Sequence, residues 1–218
     1  MSYSFHYYII EGERSSAMKT NEEHLKDLLR HLDSLDHIRV EDIPQIDLYM
    51  DQVTTFMEKH LGELKRYPDD KVLTKTMINN YAKNNLLPSP VRKKYTQEHI
   101  LLLVFIYYFK NLLNFNDIET ILSYITEHHF SETSLPLSKV YTEVFSMEHM
   151  QMENLKADVK EKFRVASETF PEAEGPERDA LQLFAFICEL AFDVYLKKQM
   201  IERLTDEIRA ENPPHKKK

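Results

Sequence analysis

Leu25, Leu28, Leu29 and Leu32 recur at intervals of three and four, which places all four on one stripe of a helix. Thr20 and Glu23 have the spacing of a capping box and mark its start. The segment VEDIPQ interrupts the pattern, because proline cannot continue a helix. Ile46, Tyr49, Met50, Val53, Phe56, Met57 and Leu61 then resume the helical period, with Gly62 placed as a C-terminal cap. ELKRYPDDKVL reads as a loop, after which Thr74 caps a short helix to about Asn84 with Met77, Ile78 and Tyr81 facing inward. LLPSPVRKKYT holds two prolines and predicts an extended loop or small hairpin.

The second half is more strongly helical. Thr96 caps a helix through QEHILLLVFIYYFKNLL that is apolar nearly all round, the mark of a helix at the centre of a core. Asn116 and Glu119 are spaced to open another, lined by Ile118, Ile121, Leu122 and Ile125. Beyond Leu137 the pattern predicts two long helices, 138–168 and 177–211, separated by PEAEGPE, with Pro176 at the start of the second. Phe184, Phe186, Ile187, Leu190, Phe192, Val194 and Tyr195 cover more than one face of that second helix. Such a helix needs two partners, and both a second protomer and burial within the same chain remain open. The fold class expected is all-α or nearly so.

Composition narrows the chemistry. The 218 residues contain three glycines, Gly12, Gly62 and Gly175, which excludes a P-loop, a dinucleotide fingerprint and a nucleophile elbow in standard form. The reading is therefore not an enzyme, and no cofactor is implied. Asp42, Asp47 and Asp51, like Glu168, Glu172 and Glu174, read as solvated acidic faces. His24, His31, His128, His129 and His149 beside Glu148 lack metal-ligand spacing, so no metal is expected. Cys188 alone cannot form an internal disulfide; it reads as a core residue and fits a reducing, cytoplasmic setting. The opening MSYSFHYYIIEGERSS lacks signal-peptide features, and the apolar run from Ile100 to Phe109 is too short to span a membrane.

Charge changes the picture most. The chain has a net charge of −8, yet residues 71–97 carry Lys71, Lys75, Lys83, Arg92, Lys93 and Lys94 and neither Asp nor Glu. That local +6 leaves −14 on the remaining residues, so a polyanion is attracted to one face and repelled by the others. Lys75, Asn79, Asn80 and Lys83 would project from the short helix, and lysine and asparagine are among the side chains that read purine edges in the major groove. Arg92, Lys93, Lys94 and Lys71 are the candidate phosphate contacts. A solvated helix face beside a charged loop is the plain alternative.

Residues 73–122 resemble the DNA-binding region of MerR-type regulators, in which a recognition helix ending in tyrosine is followed by a leucine–proline bend, a basic wing and a long apolar helix. Tyr81, Leu86, Leu87, Pro88, Arg92, Tyr95 and Ile118 occupy the matching positions. IPQIDLYMDQVTTFMEKHL with LTKTMINNYAKNNLLPSPVRKKY also resembles a bacterial family catalogued as domain of unknown function 1836, over about residues 40 to 130. The resemblance implies a MerR-like winged helix-turn-helix with the 74–84 helix in the major groove and the 88–95 loop as wing. Two departures stand out: the dozen residues GELKRYPDDKVL replace a short turn, and the wing lacks its glycine.

The expected organisation is an N-terminal arm (1–20), a winged helix-turn-helix DNA-binding domain (21–130), a helical dimerisation or effector region (131–212) and a tail (213–218). The expected function is a transcriptional regulator binding double-stranded DNA as a homodimer, with an effector site in the C-terminal region. The alternative is a helical protein-interaction module whose basic face meets an acidic protein partner.

Overall fold

A computed structural model describes residues 19–130 and 134–212. The arm, apart from its last two residues, and the tail lie outside the described residues. Among the described residues the fold is all-α, with eight helices and two strands of two residues each.

Helix α1 (Asn21–Ser34) starts on the anticipated box, with the Thr20 hydroxyl accepting from the Glu23 amide at 3.2 Å and the Glu23 carboxylate accepting from the Thr20 amide at 2.8 Å. A short 3-10 turn at Val40–Asp42 follows. Strand β1 (Leu48–Tyr49) and helix α2 (Met50–Leu61) replace the single helix expected from Ile46. Ile46 lies outside the helix and exposed, and Tyr49 is extended because its backbone pairs with Lys94 of strand β2 (Lys94–Tyr95). Gly62 does follow α2, but at φ −63° it leads into a 3-10 turn and needs no glycine-specific conformation.

Helix α3 (Lys75–Lys83) is capped by the Thr74 hydroxyl, which accepts from the Met77 amide at 3.1 Å. After β2 comes α4 (Gln97–Phe109), buried on every side from His99 to Tyr107 as its unbroken apolar sequence requires. Helix α5 (Phe115–His128) is capped by Asn114, whose side chain accepts from the Asp117 amide at 3.0 Å. Asn116 therefore sits inside the first turn, two residues from the position expected of it.

The helix anticipated over 138–168 is two: α6 (Leu137–Ser146) and α7 (Glu148–Ser167), divided at Met147. The division follows packing, since α6 lies against α4 while α7 lies against α1 and the last helix, α8 (Gly175–Glu211). Tyr141 of α6 donates its hydroxyl to the Ile38 carbonyl at 2.5 Å, and burial raises its pKa. Beside it Tyr108 is pushed up to about 12, chiefly by burial.

Among the described residues two hydrophobic clusters result. The main one surrounds α4 and takes residues from α2, α3, β1, β2, α5 and α6. The smaller one, Val159, Ala166 and Phe186, receives the leucine stripe of α1. That stripe packs on the α7–α8 pair, away from α3. The far end of α8 returns to the main cluster, where Arg209 donates to the Asp117 carboxylate at 2.8 Å. Cys188, expected in a core, is half-buried on α8.

Candidate nucleic-acid interface

The acid-free stretch folds into a helix, a bend and a hairpin, each fixed by a separate local cause. On α3 the buried Ile78 and Tyr81 and the half-buried Met77 define the inward arc. At 100° per residue, Lys75, Asn79, Asn80 and Lys83 fall on the opposite arc, and all four are exposed. Thr76 shares that arc and is also exposed, a residue the sequence reading omitted although its spacing places it there.

The bend is a Schellman-type cap. Asn85 adopts φ 63°, its amide donates to the Ala82 carbonyl at 3.3 Å, and the Leu86 amide donates to the Tyr81 carbonyl at 2.9 Å. Asparagine tolerates the left-handed region better than most residues, and here it stands where glycine is commonest. Leu86 and Leu87 are thereby turned into the core, at 1% and 0% exposure.

The hairpin closes between Val91 and Lys94, with the Lys94 amide donating to the Val91 carbonyl at 3.0 Å. Its two tip residues are Arg92 at φ 52° and Lys93 at φ 63°. Two positive φ angles in succession describe a type I′ turn, which usually takes Asn-Gly. A side chain held there costs about 1 kcal/mol. Both tip residues are exposed. Tyr95 at the base is buried, and Lys94 is half-buried with its ammonium 5.6 Å from the centre of the Tyr49 ring. Tyr49, itself exposed, is a neighbour that a reading of the 71–97 stretch alone does not find.

His99 supports the hairpin from beneath. It is 3% exposed, its Nδ1 accepts from the Thr96 amide at 3.0 Å, and its ring meets the edges of Tyr95 and Phe130 at 5.4 and 4.8 Å. Nε2 then carries the proton and faces the Pro88 carbonyl outside hydrogen-bond geometry. Burial lowers its pKa against the raising effects of that carbonyl, Glu98 and Asp47.

The long connection before α3 is fastened to the core. Glu58 holds Lys65 at 2.5 Å and accepts from the Val72 amide at 3.4 Å, while Lys110 donates to the Val72 carbonyl at 3.0 Å. Val72 and Leu73 are buried, and Lys71 just before them is exposed. Burial lowers the Lys110 pKa. One cation of the set is compensated: Lys75 pairs with Asp51 in the first turn of α2. Lys71, Lys83, Arg92 and Lys93 stay exposed around it.

A cavity of about 310 Å³ lies elsewhere, between the end of α1 and the α6–α7 junction. Charged side chains in its lining pair with one another: Lys156 with Asp33 at 2.5 Å and Glu153 at 2.9 Å, and Arg39 with Asp36 at 3.9 Å. Among the described residues no group of three or more His, Cys, Asp or Glu is placed to hold a metal ion, and no helix is long and apolar enough to cross a membrane.

Residues 38–144 match a family model described as Domain of unknown function (DUF1836). The match takes in the hairpin, the fastened loop and α2 to α6 apart from its last turn, and leaves out α1, α7 and α8. No curated protein and no solved structure matches the chain.

Proposed function

From a chain whose residues 38–144 match the DUF1836 family, we propose a protein that binds duplex DNA through α3 and the 88–95 hairpin and acts in transcription regulation. The observation that carries this reading is the conversion of a +6, acid-free stretch into an exposed helix arc and a basic hairpin tip on a buried apolar base. The order strand, helix, connection, helix, hairpin, with β1 pairing back onto β2, suits a MerR-like winged helix-turn-helix. In that arrangement α3 lies in the major groove, with Lys75, Asn79, Asn80 and Lys83 toward base edges. Arg92, Lys93, Lys94 and Lys71 bind phosphates.

The fastened loop speaks to the first departure from the MerR pattern. Its extra residues are tied to Glu58 and Lys110 on the core, so α3 starts from a fixed point despite the longer connection. The second departure is met by Arg92 and Lys93 themselves, which adopt the left-handed conformations that glycine would supply.

Fluorescence anisotropy with a labelled random-sequence duplex tests the reading. The Lys93→Glu/Lys94→Glu double variant is expected to lose at least tenfold in affinity, because two attractive contacts become repulsive. Unchanged binding by a folded double variant sinks the assignment. Binding to an acidic protein with none to duplex DNA would favour an interaction module instead.

A further inference from the structure

Helix α8 is packed at both ends and carries an uncovered apolar face in its middle, where Asp193 on another face pairs with Lys162 of α7 at 3.8 Å. Its early turns lie on α7 through Phe186 and Leu190, and its last turns lie on α5 through Arg209 and on the main cluster through Ile201. Between them most exposed positions are apolar, Lys197 and Gln199 being the exceptions: Phe192, Leu196 and Met200 are 62%, 60% and 65% exposed. Nine of the twenty large exposed hydrophobic residues among those described belong to this one helix. Exposed apolar side chains gathered in this way mark an interaction surface.

The order of residues along the helix says what kind. Every fourth residue from Phe184 to Ile208 is apolar, and the series is centred on Leu196. Rows of this pitch are the ridges that interlock when two helices cross at about −50°. A two-fold contact requires a surface complementary to itself, with each residue meeting its mirror position across the axis. Placing the axis at Leu196 sets Phe192 of one copy against Met200 of the other, twice. The next positions out on the same face are Glu189 and Arg203, equidistant from Leu196 and opposite in charge. In an antiparallel crossing each Glu189 meets the Arg203 of the other copy; in a parallel one like charges would meet.

We propose that the middle of α8 is an antiparallel homodimer interface with its two-fold axis at Leu196. This goes beyond the DNA-binding reading and does not rest on it, since it concerns surface outside residues 38–144. Among the described residues Arg203 pairs with Glu207, at 2.9 Å on an exposed face, so re-pairing with Glu189 of a second copy gives up an exposed contact and not a buried one.

Sedimentation equilibrium of the full chain at about 50 μM tests it. The expected species is twice the 26.0 kDa chain mass. Leu196→Glu is expected to sediment as a monomer with unchanged helical circular dichroism, whereas Met150→Glu, at an exposed methionine on α7, stays dimeric. Glu189→Arg and Arg203→Glu should each weaken the dimer at least tenfold, and the two together should restore it. In a Cys188→Ser background, Leu196→Cys should oxidise to a cross-linked dimer. A monomeric wild type, a dimer indifferent to Leu196→Glu, or a monomer that dimerises only when residues 1–18 are removed overturns the proposal. The last outcome assigns the face to the N-terminal arm. None of these results depends on DNA, so failure here is distinct from failure of the DNA-binding reading.

Discussion

Arg92 and Lys93 are held in left-handed conformations at the tip of a two-residue turn, where asparagine and glycine would be relaxed. Strain of this kind persists where the side chains have work that the relaxed residues cannot do. The two bring a guanidinium and an ammonium to the exposed tip of an acid-free stretch of sequence. Replacing them by Arg92→Asn/Lys93→Gly is therefore expected to move stability and binding in opposite directions. Urea unfolding should show a gain of roughly 1–2 kcal/mol from relief of the two positive φ angles. Duplex affinity should fall as two cations are removed. A variant that gains stability and keeps its affinity would separate the tip from the DNA surface.

Among the elements, α4 is the one on which the others depend, and its first turn contains His99. The Thr96 amide needs an unprotonated Nδ1, and the ring is buried, so the folded state favours neutral histidine. In the unfolded chain the same side chain titrates near its ordinary value of about 6.5. Above that pH neither state is charged and the group contributes nothing to pH dependence. As pH falls below it, the unfolded state takes up a proton that the folded state resists, and stability declines toward the lowered folded pKa. His99→Gln retains an acceptor for the Thr96 amide without the charge. Its denaturation midpoint is expected to fall less than that of the wild type between pH 7 and pH 5; an equal fall would remove His99 as the cause.

Much of the helical architecture was legible because amphipathic spacing and N-caps are local. The Thr20–Glu23 box, the Thr74 cap and the all-round apolar α4 each follow from a few adjacent residues. What escaped was set by distant partners. Tyr49 lies on the apolar spacing of α2 but is drawn into β1 by Lys94, and a two-residue strand is too short for alternation to reveal. Met147 breaks a continuous helical pattern without proline or glycine because α6 and α7 pack on different neighbours. For the candidate interface, the identities of the basic residues and the exposure of the α3 arc could be read from sequence. The Lys75–Asp51 pair could not, since its members lie on separate helices. Nor could the tip conformation, because local rules reserve it for other residues.

At the scale of the molecule, charge and apolar surface are segregated. The strongly basic stretch occupies the unit built around α4, while exposed apolar side chains gather on α8. The two regions are joined where the end of α8 docks on α5 through Arg209 and Asp117. A net charge of −14 outside residues 71–97 opposes any other face approaching a phosphate backbone, so binding should be oriented and strongly dependent on ionic strength.

The most direct test is titration of a random-sequence duplex with the full chain at a series of salt concentrations between about 50 and 200 mM. Four phosphate contacts, from Lys71, Arg92, Lys93 and Lys94, imply a log-log slope of about −3.6 and a weakening on the order of a hundredfold across that range. Absence of binding at the lowest salt, or an affinity that does not change with salt, would contradict the assignment of this face to DNA.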